Sequence, residues 1–245
     1  YLMKNKGRKI LFISLLILLI IPLVFYLFSE KPYHTIQRIK VSFSAKQSNT
    51  MISEEDVLYK IYLTKKLEKG QKIEVHDQDL KQIKDTLLSH PHIKDAHIIA
   101  NLNGTLQIEV EQVLPILSII LSNGTQYILT QDSNLVPFPK EYFQKVPVAT
   151  GNINKNVISK LYTLGSYVQE KPFWNASLEQ IFVNKKGDIQ LITKLGSFEI
   201  LLGDTKNLND KLNRSKIFIK EVLSTKGWDA YKAVDLRYKK QIIAY

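Results

Sequence analysis

Cysteine is absent from the sequence, which removes disulfides, thiol nucleophiles and cysteine-type metal sites and leaves stability to packed cores. Arginine is nearly absent too, with only four in the chain. The net charge of +11 therefore rests on lysine, scattered in pairs such as Lys65-Lys66, Lys185-Lys186 and Lys239-Lys240. No arginine-rich block or aromatic–basic interleaving occurs, which argues against a nucleic-acid partner. A solvated basic surface facing anionic lipid heads or polymers accounts for the charge. G-x-S-x-G, Walker, G-x-G-x-x-G and H-E-x-x-H patterns are all missing. Internal repeats and low-complexity linkers are missing as well. Glu54, Glu55 and Asp56 are the nearest thing to paired carboxylates. They are consecutive, so they splay around a helix N-terminus and complement its dipole. No catalytic residue and no cofactor site is expected.

Histidine is also scarce, yet three of the five fall within "HPHIKDAH", His90 to His97. Pro91 biases His90 towards an extended backbone and ends any preceding helix. His97 alternates with Ala96 and Ile98, so the three imidazoles are not expected to converge on one ion. Leu87, Ile93, Ala96 and Ile98 read as packing residues that seal helices onto a sheet.

What the chain does have is a long apolar run. Lys4, Lys6, Arg8 and Lys9 precede Ile10 to Phe28, in which no charge occurs. About nineteen helical residues span about 28 Å, close to the hydrocarbon core of a bilayer. A cleaved signal peptide is the competing reading. It needs a shorter apolar core and a small-x-small cleavage site, whereas "FSEKPYH" follows here. The expectation is a cytoplasmic basic segment, 1–9, and a single transmembrane helix, 10–28. The basic flank places the N-terminus in the cytoplasm and the rest of the chain across the membrane.

The remainder reads as two domains, 33–113 and 114–245, in an α+β class. In the first, "IQRIKVSFS" (Ile36–Ser44) alternates like a half-buried strand. Ser53 stands in cap position before a helix with acids in its first turn. A second helix begins near Asp77, and two alternating runs then flank Asn103-Gly104, a tight-turn pair. The order is β-α-α-β-β. In the second domain, strands flank Asn123-Gly124 and lead to Val136 through a further turn, where Asn134 is expected to take the left-handed conformation. Three strands turn at Gly187-Asp188 and Gly196. A helix that buries Leu208, Leu212, Ile219 and Val222 precedes the terminal strands Ala233–Arg237 and Gln241–Ala244. Trp174 and Trp228 fall in loop-like contexts, where they serve as packing residues or as sugar platforms. Asn103-Gly-Thr and Asn123-Gly-Thr match the glycosylation acceptor but read as hairpins.

"IQRIKVSF", "ISEEDVLYKI" and "LLSHPHIKDAHIIANLNGTLQIEVEQVLPI" together resemble a POTRA domain. With "TQYILTQDSNLVPFP", "VPVATG" and the terminal "VDLRY", the chain as a whole resembles the FtsQ/DivIB family of bacterial cell-division proteins. This resemblance implies a POTRA domain over 33–113 and, after it, a mostly antiparallel β domain over 114–245 with flanking helices, a long one about Val157 to Glu170 following "VPVATG". It also implies a non-catalytic divisome scaffold at the septum, in the cell (inner) membrane, with its main domain in the periplasm. The implied partners are FtsB- and FtsL-like coiled-coil subunits and the septal peptidoglycan synthesis enzymes. The partner strand would add near Tyr238, giving Val234, Asp235, Leu236, Arg237, Tyr238, Lys239, Gln241 and Ile243 as the partner-binding set. Arg237 and Lys239 would meet acidic partner side chains. The alternative is a POTRA-bearing envelope protein assisting outer-membrane protein assembly or secretion.

Overall fold

The computed structural model describes residues 16–24, 33–44, 51–65, 73–139 and 146–245. Residues 16–24 form helix α1, whose leucines and isoleucines are exposed. No helix among the described residues is long and apolar enough to cross a membrane. The rest of the expected span 10–28, with the basic segment 1–9, lies outside the described residues. The chain divides into two compact units, one of residues 1–42, 57–87 and 96–109, the other of 43–56, 88–95 and 110–245.

The N-terminal elements are β1 (Tyr33–Ile36), β2 (Arg38–Phe43), α2 (Glu54–Lys65), β3 (Ile73–His76), α3 (Asp77–Leu88), β4 (Ile93–Ala100) and β5 (Thr105–Gln112). The expected β-α-α-β-β order is present as β2-α2-α3-β4-β5, with the sheet ordered β2-β5-β4. Helix α2 starts where the acids predict. The Ser53 hydroxyl accepts from Asp56 N–H at 3.1 Å while the Asp56 carboxylate accepts from Ser53 N–H at 3.2 Å, a reciprocal cap. The strand read as Ile36–Ser44 is broken at Gln37, because Gln37 and Arg38 both donate backbone N–H to the Gly104 carbonyl, at 2.7 and 3.2 Å. The upstream piece, β1, pairs antiparallel with β3, a strand the sequence reading did not anticipate. In the first unit Val57, Ile61, Ile83, Leu87, Ala96, Leu106 and Ile108 are buried.

The second unit holds a nine-stranded mixed sheet ordered β14-β13-β12-β11-β10-β9-β6-β7-β8. Its strands are β6 (Pro115–Ile120), β7 (Gln126–Thr130), β8 (Leu135–Pro137), β9 (Val148–Gly151), β10 (Leu178–Val183), β11 (Ile189–Thr193), β12 (Glu199–Gly203), β13 (Ala233–Asp235) and β14 (Ile243–Ala244). Between them run α4 (Lys155–Glu170), α5 (Pro172–Ser177), α6 (Leu208–Phe218), a π turn (Ile219–Leu223) and α7 (Ser224–Lys226). Hairpins give the antiparallel pairs. The β6–β9, β9–β10 and β12–β13 pairs are parallel, each joined by the long connection that a parallel return requires, with helices in the last two. Asn154 caps α4 by accepting from the N–H groups of Asn156 and Val157.

Three local readings are corrected. The left-handed residue of the β7–β8 turn is Ser133, φ 62°, not Asn134, because the closing bonds join Thr130 to Asn134 and leave Ser133 at the bend. The widened π turn lets Leu223 take the core position expected of Val222, which is only half-buried. Trp174 lies on α5, not in a loop, and is buried with its ring edge-on to Phe173 at 5.1 Å.

The turn asparagines spend their side chains locally, Asn103 on Thr105 N–H and Asn123 on Thr125 N–H, at 3.1 and 3.0 Å. His92 is buried and its Nε2–H donates to the Pro137 carbonyl at 2.7 Å. His90 stands edge-on to it, 5.1 Å away, and His97 is exposed on β4. Among the described residues no group of three or more His, Asp or Glu is placed to hold a metal ion.

Candidate functional site

The expected partner site falls at one end of the nine-stranded sheet. β13 is an interior strand, parallel to β12 on one side and antiparallel to β14 on the other. Val234 on β13 and Leu236 just past its end are completely buried, and Asp235 is buried with them. β14 is the outermost strand. Tyr245 exchanges both backbone hydrogen bonds with Ala233, and Ala244 lies opposite Val234. In an antiparallel ladder the bonded and non-bonded pairs alternate, so Ala244 turns its N–H and C=O away from β13. Among the described residues no strand pairs with this edge of the sheet.

Leu236 leads into a turn in which Lys240 takes φ 59°. Arg237 folds back as a fork on Asp235. Its Nε donates to Oδ1 at 2.9 Å and to Oδ2 at 3.1 Å, its Nη2 donates to Oδ2 at 2.6 Å, and its backbone N–H adds a bond to Oδ1 at 3.0 Å. These bonds hold the Asp235 carboxyl below the usual carboxylate range, against the opposing pull of burial. The Arg237 guanidinium is held still more firmly protonated by the same contacts. The stem of Arg237 passes so close to Gly203 that a Cβ there would lie 2.9 Å from the Arg237 Cγ. Gly203 has φ +73°, so both its backbone and its neighbour require glycine.

Helix α6 supplies the other wall. Arg214 donates from Nε to Asp210 Oδ2 at 2.9 Å, from Nη1 to the Gln241 carbonyl, and from Nη2 to the Tyr238 carbonyl at 3.4 Å. At the start of α6, Lys211 is buried. Its Nζ donates to the Leu202 carbonyl at 3.0 Å, the Asp204 carbonyl at 2.9 Å and Asp204 Oδ1 at 2.7 Å. The Asp204 carboxyl is lowered chiefly by that hydrogen bond. Between α6 and the turn opens a groove of about 700 Å³, with Lys206, Tyr238, Lys239 and Lys240 on its walls. Both acids that line it are engaged by bases, Asp204 by Lys211 and Asp210 by Arg214, so the groove presents a net positive field.

Of the expected residues, Arg237, Tyr238, Lys239, Gln241 and Ile243 are exposed and cluster on the turn and β14. Val234, Asp235 and Leu236 lie beneath them, because β13 has a neighbour on each side. Arg237, expected to meet a partner's acid, is already engaged by Asp235. Three contributors were missed: Arg214, Asp210 and the outward backbone of Ala244. The signal for Arg214 was composition. In a chain that uses arginine four times, Arg214 and Arg237 both sit here, where a planar fork does what lysine cannot.

No curated protein matches the chain. Among solved structures, POTRA1-2 of the periplasmic domain of Omp85 from Anabaena is similar at 10% identity and a TM-score of 0.27. That likeness covers 38% of this chain and 55%, about half, of that one, and is too slight to bear on fold or function. A profile of the FtsQ/DivIB, C-terminal related family matches residues 114–245, more than half the chain and the whole of the site just described. The chain belongs to the FtsQ/DivIB, C-terminal related family.

Proposed function

We propose that this chain is a non-catalytic scaffold of bacterial cell division, which docks a strand of a division partner onto β14. The observation that supports this most directly is the coincidence of two features. The family match covers residues 114–245, which include the whole of this sheet, and among the described residues nothing pairs with the outward N–H and C=O of Ala244. A partner strand laid along that edge gains main-chain hydrogen bonds, and its alternate side chains meet Tyr238 and the basic turn. Tyr238, 49% exposed, suits an interface because an aromatic body fills a pocket while its hydroxyl stays hydrogen-bonded. The docked strand belongs to an FtsB-like subunit, with FtsL-like and septal wall-synthesis proteins assembled through it. The exposed apolar residues of α1 fit the centre of a membrane anchor across residues 10–28, which would hold the two units outside the cytoplasmic membrane at the septum.

The test is depletion in the host followed by rescue. Depleted cells should form filaments without septa, and the wild-type chain should restore division. Ala244→Pro removes only the outward N–H, which proline tolerates on an edge strand. This variant should melt like wild type and fail to rescue. Normal septation on depletion would refute the division role; full rescue by Ala244→Pro would refute strand docking at β14.

A further inference from the structure

Resting on that reading of β14, we infer that Arg214 is the positioning residue that sets the partner edge. β14 is only two residues long, and two-residue pairing has little strength of its own. The Tyr238–Gln241 turn that delivers it has an exposed surface and a left-handed Lys240. Left alone, such a segment samples many conformations and its ordering would cost a partner affinity. Arg214 removes that freedom. It rises from α6, a helix whose Leu208 and Leu212 are buried in the core. Its side chain is only 19% exposed and is braced at Nε by Asp210. Its two terminal nitrogens then grip both ends of the turn at once, the Tyr238 and Gln241 carbonyls. A guanidinium can do this because its donors diverge in one plane from a single rigid group. A lysine ammonium reaches either carbonyl but is a point charge without that fork. Both contacts to the turn are to backbone carbonyls, so Arg214 acts through the turn rather than on the partner's side chains.

The experiment uses the full chain and a hydrogen-exchange readout beside the rescue assay. Arg214→Ala should raise exchange of the bonded Ile243 and Tyr245 amides at least tenfold while core amides of β10 and β11 keep their rates, and it should rescue division poorly. Arg214→Lys should fall between Ala and wild type in both measurements. Uniformly faster exchange across the second unit would show a merely structural role and overturn the inference, as would unchanged exchange at Ile243 and Tyr245. Loosened exchange with full rescue also overturns it. Ala244→Pro separates the two ideas. If it fails to rescue while Arg214→Ala rescues, only the role of Arg214 falls. If Ala244→Pro itself rescues, the docking reading falls and the inference goes with it.

Discussion

Replacing Arg237 with alanine tests how far the buried acid of β13 depends on its fork. The Asp235 side chain is 4% exposed, and Arg237→Ala strips it of all three guanidinium bonds, leaving one backbone N–H at 3.0 Å. A hydrogen bond to a charged group contributes about 1.5–3 kcal/mol, and removing one partner of a fully buried pair costs about 3–5 kcal/mol. Arg237 itself is 48% exposed, so water takes over part of its role and a loss of about 2 kcal/mol is expected. That corresponds to a fall of roughly 4–8 °C in Tm for a unit of this size. Asp235→Asn should cost less, because the freed guanidinium can be solvated, and the double variant should cost less than the sum. The pH dependence has a definite sign. The folded-state pKa of Asp235 is depressed, so its contribution is present above the unfolded value of about 3.9 and is lost as pH falls through the folded value. The gap between wild type and Arg237→Ala should therefore be widest at neutral pH and narrow progressively as pH falls below the unfolded value of about 3.9. Thermal melts of the four chains at neutral and acid pH decide it. A coupling below about 0.3 kcal/mol at neutral pH, within ordinary additivity error, would refute the reasoning.

Gly151→Ala should abolish the cooperative melt of the second unit. Gly151 has φ +102°, and a Cβ there would sit 2.1 Å from the Val183 carbonyl across the β9–β10 pair, so backbone must move on top of a left-handed cost of about 1–2 kcal/mol. Lys211→Met should destabilise by about 2–3 kcal/mol, since the Leu202 and Asp204 carbonyls lose a donor in a region where unsatisfied acceptors are costly. Denaturant titration measures this loss, and the variant should also lose the acid-side fall in stability that Asp204, with its depressed carboxyl, contributes below about pH 4.

What the sequence revealed was local. Asn103-Gly104 and Asn123-Gly124 each fall on turns with glycine φ of 74° and 82°, because such turns depend on two or three adjacent residues. Ser53 and the acids after it mark α2 for the same reason. What it concealed was decided by backbone groups distant in the chain, which leave no mark on residue identity. The break at Gln37 is set by the Gly104 carbonyl, the β1–β3 pair by a register between two short segments, and the grip of Arg214 by the carbonyls of Tyr238 and Gln241. Val234 and Leu236, expected at the partner edge, are buried, because alternation cannot say how many neighbours a strand has. The terminal strands therefore read as longer and more exposed than the three residues of β13 and two of β14.

The two ends of the large sheet are not equivalent. At β8, Phe138 N–H bonds to Gln126 on the β7 side and Val136 lies opposite Ile128, so Pro137 between them faces outward. Its nitrogen has no hydrogen to give, and its carbonyl is already taken by the imidazole of His92. By the same alternation Leu135, opposite Leu129, turns its N–H and C=O outward, so the obstruction is local to Pro137. A strand laid along this edge meets one residue with a backbone donor missing and its acceptor occupied. The histidine cluster that invites a search for a metal thus blocks part of an edge.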